Sequence, residues 1–385
     1  MNDDKTLTHI AGTFLIQADG AFLNGAGLDS GEDRNATIPK TYMDVDEKGR
    51  RVRVPYVSAQ AWRRWLRSTF QEENPSEPAA ILKSLHENAK GNTDKIGTDA
   101  NPVDFAEDDI FGYMRAEKGQ GKNKEIVDET VDDNPDNLFA GQENADDAPK
   151  KTKTEKAKAV MRSSPFVSSI LKSLRKDSSV LNDDEGFVHL KEGSPLPYKT
   201  KFYNTQMQGV FGLNYERLGV FRNDGDRIEL DANLAKAFLS ENRVQLQKDK
   251  KEIYEITENK RRERAAMILK ALAVLRGGAK QAQFGTDVSP KAIIIAGMNC
   301  GNLIFNDLFA EIDGKPIIKI DALKETIDDY QNRIVTPIFI GVREGYLHPQ
   351  NQAQFKQWIE SGETTAEIRL SSPIKAVEAL TEQLG

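Results

Sequence analysis

Four groups of residues have the types and spacing to act on a ligand. Gln60, Arg63, Arg64 and Arg67 recur at helical spacing, so their heads could meet successive phosphates of a nucleic-acid strand. The alternative is a solvated outer face paired with nearby glutamates. Arg276-Gly277-Gly278-Ala279-Lys280-Gln281 sets two glycines between two cations. Glycines just past a helix let a backbone approach a ligand closely and leave N–H donors unblocked. A plain helix-terminating loop accounts for Gly277 but does not require Gly278, Lys280 and Gln281. Asn24-Gly25 and Met298-Asn299-Cys300-Gly301-Asn302 each end a predicted strand, where an amide can contact sugar and base edges or simply make a turn. Finally, Lys199, Lys201, Tyr203, Gln206, Met207, Gln208 and Arg217 are set among Phe202, Val210, Phe211 and Leu213. That pattern suits a ribbon that wedges into a strand and equally a packed core.

Catalysis does not assemble from what remains. There is no phosphate-binding loop, no dinucleotide fingerprint after a strand and no metalloprotease helix signature. The pairs Asp108-Asp109 and Asp328-Asp329 are adjacent in sequence, and adjacent helical residues point in different directions. His9, His86, His189 and His348 are scattered, and the single Cys300 excludes an internal disulfide or a multi-cysteine metal site. We therefore expect no catalytic residue, no metal and no cofactor.

The elements that must position these residues belong to a chain of 385 residues, 38% hydrophobic and 29% charged, which suits a soluble globular protein. The longest apolar runs, such as 292–296, are too short to span a bilayer, and the N-terminal residues do not resemble a signal peptide. A cytoplasmic location with no membrane partner is the expectation. The net charge of -7 argues against a nucleic-acid ligand only if charge is averaged over the surface, because phosphates respond to local basic tracks.

Alternation from Thr8 to Phe22 predicts a strand that ends in a glycine-punctuated turn. A strand pair follows over 37–44 and 50–54, joined by Asp46-Glu47-Lys48-Gly49. Ser58 is the N-cap of a helix whose apolar stripe is Trp62, Trp65, Leu66 and Phe70. From Asn74 to about Lys158 the character changes, with an acidic block at 128–147 and a basic one at 150–158, the composition of a flexible excursion. Ser164-Pro165 predicts another helix start, with Phe166, Ile170, Leu171 and Leu174 buried. Lys199 to Phe221 alternates around glycines and suggests a long bent hairpin. A second helix over 259–275 stops at Gly277-Gly278. Strands over 291–298 and 334–342, a strand and helix over 317–330 and a last helix from Ser372-Pro373 complete the order. An α+β fold results, compatible with an RRM-like or ferredoxin-like βαββαβ core carrying large insertions.

Three of these segments together carry a resemblance. The strand into Phe22-Leu23-Asn24-Gly25, the run Val54-Pro55-Tyr56-Val57-Ser58-Ala59-Gln60-Ala61-Trp62-Arg63-Arg64-Trp65-Leu66-Arg67, and Arg276 to Ala282 resemble the DevR-type CRISPR-associated proteins. These are the repeated backbone subunits of type I Cascade, and subtype I-B is the most similar. Ser163-Ser164-Pro165 and the glycine-bearing segment after it also look like that family, and the resemblance spans most of the chain outside 115–158. It implies an RRM-like palm (1–73 and 223–385), inserted fingers (74–197) and a thumb hairpin (198–222). It also implies head-to-tail copies along a CRISPR guide RNA, a heterologous contact that does not close.

By the same resemblance Asn24, Lys40, Gln60, Arg63, Arg64, Arg67, Arg276, Gly277, Gly278, Lys280, Gln281 and Asn299 would bind RNA. Lys201, Gln206, Met207, Gln208, Val210 and Phe211 would form the thumb. The implied partners are the guide RNA, target DNA paired to it, further copies of the chain and other Cascade subunits. Related type III subunits cut RNA with a loop aspartate, but Asp29, Asp33 and Asp44 look no different here from turn formers, so no cutting is expected. The rivals are a CRISPR RNA-processing endoribonuclease, for which His9 is the one candidate general acid or base, and a protein-only scaffold using an acidic face.

Overall fold

The alternation after Thr8 becomes β1 (His9–Ala21), which leads through β2 (Ala36–Thr37) to a hairpin of β3 (Thr41–Val45) and β4 (Arg51–Val57). Helix α1 (Ala59–Glu73) follows, then β5 (Lys83–Glu87), β6 (Thr93–Gly97), α2 (Ala106–Phe111) and β7 (Tyr113–Arg115). Next come β8 (Val160–Arg162), β9 (Phe166–Ser168), β10 (Leu171–Ser173), β11 (Leu181–Val188) and β12 (Leu196–Asn214). A smaller unit contains β13 (Val220–Arg222), α3 (Ala232–Ser240), β14 (Gln245–Leu246) and β15 (Ile253–Glu255). The chain continues through α4 (Glu258–Ala273), α5 (Gln281–Phe284), β16 (Ala292–Met298), β17 (Phe309–Ile312) and β18 (Lys315–Ile318). It ends with α6 (Ile320–Tyr330), β19 (Ile338–Val342), α7 (Pro349–Glu360), β20 (Ile368–Ser371) and α8 (Pro373–Thr381). This computed structural model describes residues 6–26, 36–46, 48–79, 83–87, 93–115, 159–176, 181–225 and 227–384.

Eleven strands form the main sheet, in the order β20-β19-β16-β1-β12-β10-β4-β3, with β2, β9 and β11 attached to β12. Its described pairings are antiparallel except β12 with β2 and β19 with β20. Strand period two sorts β1 between two cores. Ile10, Phe14, Ile16 and Ala18 join the core under α1, α4 and α8, whereas Ala11 and Leu15 join the one under β17, β18, α6 and α7. Because both faces are covered, every residue of β16 is buried, and its sequence is a continuous apolar run rather than an alternation. The fold is therefore mixed α+β, a mostly antiparallel central sheet between two layers. Strands β16, β1, β12 and β10, with α1 and α4 packed together on one face, are broadly consistent with a ferredoxin- or RRM-like core.

Three expectations are corrected. The helix predicted from Ser164-Pro165 is instead the strand pair β9 and β10, stitched to β12 where Ser169 N donates to the Val210 carbonyl at 2.8 Å. Phe166 and Leu171 are buried as a helix would also bury them, but Ile170 is exposed. Apolar spacing over six residues fits either element. Second, 198–222 is not a projecting hairpin: β12 runs straight through the sheet, and Gln206, Met207, Gln208, Val210 and Phe211 are buried in it. Its glycines serve close packing, since a Cβ at Gly209 would lie 2.5 Å from Leu171 Cδ2. Third, β9 and β10 belong to the main sheet, so 74–197 is not one continuous insertion. The charged blocks of 116–158 lie outside the described residues, as do Asp29 and Asp33.

A buried ion network ties α2, β8 and α4 together. Asp109 accepts from Arg162, from Arg264 Nη1 at 2.7 Å and from Gly219 N at 3.1 Å, and Arg162 also reaches Glu229 at 3.1 Å. Asp109 and Arg162 are shielded from water, so removing one partner strands the other's charge in a poorly solvating interior. Asp109→Asn should cost about 3–5 kcal/mol in a urea unfolding titration; a loss below about 1 kcal/mol would show that the network is dispensable.

Candidate nucleic-acid interface

Beyond α4 the chain turns through three left-handed residues, Gly277 (φ 144), Gly278 (φ 111) and Lys280 (φ 52), before α5. Only glycine fits the first: a Cβ there would sit 2.3 Å from Trp65 Cγ. Arg276 N donates to Thr69 Oγ1 at 3.0 Å, Ala279 N to the Leu23 carbonyl at 3.0 Å, and Gln281 Nε2 back to the Gly277 carbonyl. The loop is thus pinned between the last turns of α1 and the end of β1.

Asn24 is the hub on the other side. Its Oδ1 accepts from Ser58 N at 3.1 Å, and its carbonyl accepts from Lys40 N at 2.8 Å. The Lys40 carbonyl in turn accepts from Tyr56 N at 3.0 Å, while Ser58 caps α1 by accepting from Ala61 N. Lys280 Nζ donates to Thr200 Oγ1 at 3.1 Å and lies 5.4 Å from the Phe22 ring centre. Thr200 stands at the base of the β11–β12 ribbon, where Gln283 also donates to Asp184 at 2.8 Å and Phe202 packs on Phe284. Past that base every residue from Phe187 to Tyr198 is exposed, and the ribbon's exposed apolar residues are Phe187, Val188, Leu190, Leu196 and Tyr198. Here, over 181–203, lies the projecting ribbon expected at 198–222; it shares with that span Lys201, which pairs with Asp183 at 3.1 Å.

The cations of α1 split by their i, i+4 spacing. Gln60 and Arg64 face outward. Arg63 and Arg67 turn inward instead: Arg63 donates to the Phe166 carbonyl at 2.6 Å and to Ser164 Oγ at 2.9 Å, and Arg67 pairs with buried Glu107 at 2.9 Å. Burial lowers the Arg63 pKa, as it does for a cation moved out of water. Arg276 is raised by its hydrogen bonds to Glu73 and Glu72. Asn299 lies at the opposite end of the sheet, beside the start of β1, where His9 pairs with Met298; thirteen strand residues put it about 40 Å away. His9 shares that remote end, half-buried beside Gly301, with its pKa lowered by burial. Asn24, Lys40, Gly277, Gly278, Lys280 and Gln281 are thus tied into one bonded region, with Gln60 and Arg64 exposed on the adjoining α1 and Arg276 turned to Glu72 and Glu73 at its last turn. Arg63 and Arg67 support them from behind, and Asn299 stands apart. Thr200 and Thr69 complete the site without having been singled out from sequence, together with Phe22 of the Phe22-Leu23-Asn24-Gly25 motif. Among the described residues no group of His, Cys, Asp or Glu is placed to hold a metal ion, and no helix is long and apolar enough to cross a membrane.

No protein-family model matches this chain, and no curated protein does. Solved structures do. A chain of a "CRISPR RNA-guided surveillance complex, pre-nicking" superposes with a TM-score of 0.53 at 10% identity, covering 98% of this chain and 100% of that one. A chain of a second "CRISPR RNA-guided surveillance complex" covers the same shares at 10% identity with a TM-score of 0.46. At such identity the first likeness is one of fold.

Truncation separates the two roles on α1. Arg63→Ala, which removes two charge-assisted hydrogen bonds to Ser164 Oγ and the Phe166 carbonyl, should lower stability by about 1–3 kcal/mol, whereas Arg64→Ala should stay within about 0.5 kcal/mol. Equal unfolding midpoints would refute the inward placement of Arg63. Gly277→Ala should destabilise too, with the indole fluorescence of Trp65 reporting the displaced ring.

Proposed function

We propose that this chain is a non-catalytic RNA-binding subunit of the DevR kind that stacks on copies of itself along a CRISPR guide RNA. It would form the backbone of a type I Cascade, subtype I-B, and present the guide for pairing with target DNA. The observation that carries this reading is the glycine loop, bonded through Leu23 and Asn24 to Lys40 and through Lys280 to the base of an exposed apolar ribbon, with the exposed cation Arg64 on the adjoining α1. Backbone N–H groups and cations there suit phosphates of any sequence, and the fold likeness to a chain of an RNA-guided complex supports the same reading. Specificity would then pass to base pairing. In this reading the sheet with α1, α4 and α8 is the palm, and the 181–203 ribbon takes the thumb's place, its apolar tip seated on the next copy.

The test is co-purification of the chain with an expressed repeat-spacer RNA. A particle whose copy number grows with spacer length is expected, and a nucleic-acid-free monomer would overturn the proposal. Arg64→Glu and Lys280→Glu should each weaken RNA binding about tenfold on every sequence and lower the salt slope by about one. Phe187→Ser with Leu196→Ser should leave the affinity of one copy intact and abolish multimers; multimers that persist would remove the ribbon from the contact.

A further inference from the structure

A second cleft, of about 620 Å³, opens between the β3–β4 turn, the end of β10 and the β17–β18 hairpin. It lies on the other face of the sheet from α1, since Leu171 of β10 joins the core beneath α1 whereas Leu174 packs toward the opposite core. Its Arg50 end is about 24 Å along β4 from Ser58, whereas Lys172 lies opposite Tyr56, two residues from Ser58, so what separates the cleft from the first site there is the sheet itself. Six cations line it against three carboxylates, a local excess of positive charge in a chain of net charge -7.

Its acids are already engaged. Arg50 holds Asp46 at 2.8 Å, Arg175 holds Glu311 at 2.9 Å and Lys319 holds Asp307 at 3.1 Å, while Lys176 reaches Asp44 at 3.1 Å. No described carboxylate pairs with Lys48 or Lys172, which leaves their charge for a ligand. Lys172 stands on β10, just before the chain bends at Leu174, and Lys48 in the β3–β4 turn, so the two cations face the cleft from different segments. Val45, half-exposed at the rim, offers an apolar surface to an unstacked base. Phe309 in the lining is buried, so Val45 is left as the lining's large exposed apolar side chain, a poor set of anchors for a protein partner, whereas a phosphodiester strand needs none.

We propose that this cleft binds the backbone of a second nucleic-acid strand, distinct from the one at the glycine loop, with Lys48 and Lys172 as its phosphate contacts. It stands independently of the first site. The experiment titrates labelled oligothymidylate into the full chain, wild type and Arg64→Glu/Lys280→Glu, each with and without Lys48→Glu/Lys172→Glu. Binding should persist in Arg64→Glu/Lys280→Glu and fall about tenfold or more when Lys48 and Lys172 are also reversed, while Lys48→Glu/Lys172→Glu alone leaves guide-RNA affinity unchanged. Should the reversed variants misfold, Lys48→Gln/Lys172→Gln gives a smaller loss in the same direction. Unchanged oligothymidylate binding on altering Lys48 and Lys172 overturns the proposal. So does equal competition by polyglutamate, which would reduce the cleft to an unselective charge sink. RNA binding that survives Arg64→Glu/Lys280→Glu defeats only the reading of the first site.

Discussion

The pairing of β1 with β12 fixes everything else. Their antiparallel register runs from His9 opposite Asn214 to Ala21 opposite Tyr203, and β12 then continues past the end of β1 into the ribbon. A slip of one residue would exchange the faces of β1, driving Ala11 and Leu15 under α1 and expelling Phe14 from its packing with Trp62 and Phe211. Gly12 enforces the register further, because any Cβ there would strike the Phe211 ring at 2.4 Å. The strand that forms the core is therefore the one that carries the ribbon. Thr200, which holds Lys280, sits where core gives way to projection.

Sequence patterns reveal this fold where one side of an element meets water. α1, α4 and α8 follow from helical spacing, a Ser58 cap and a Gly277 stop, since each keeps an exposed side, whereas β1 is read from alternation although cores cover both of its faces. β12 defeats the same reasoning. Gln206 and Gln208 look like solvent-facing partners of Met207, yet Gln206 accepts from the Tyr346 hydroxyl at 2.5 Å and Gln208 donates to Thr13 Oγ1 at 3.0 Å. A buried amide satisfied by a distant hydroxyl leaves no local trace, because its partner is 140 residues away in one case and 195 in the other. The real ribbon tip shows the opposite misdirection: Phe187, Leu196 and Tyr198 have core composition and are exposed.

The candidate site was legible to the same degree. Spacing picked out the right helix and loop, but it could not separate Arg64 from Arg63, because the difference lies in Ser164, Phe166 and Glu107, brought in by chain far from α1. Asn299 was attractive for its place at a strand end. Both ends of an antiparallel sheet offer such positions, and the direction of β16 against β1 puts it at the far one.

An acidic chain can nonetheless offer cationic surfaces, and the ion pairs show how. Arg276 with Glu72 and Glu73, and Arg175 with Glu311, are cations held in place by carboxylates at 3.0 Å or less. The exposed Arg276 pairs contribute no more than about 1 kcal/mol to stability, since those ions are well solvated when apart. Their value lies in orientation. A guanidinium fixed by one carboxylate keeps other N–H donors, and it reaches a phosphate without first losing the freedom of a long side chain. The carboxylate in such a pair is also partly neutralised, so it repels an incoming strand less than its formal charge implies. A net charge of -7 is thus no argument against phosphate binding in the second cleft, where each lining carboxylate is paired and cations remain in excess, while at the glycine loop Glu72 and Glu73 outnumber Arg276 and the positive charge comes from Lys280, Lys40 and Arg64.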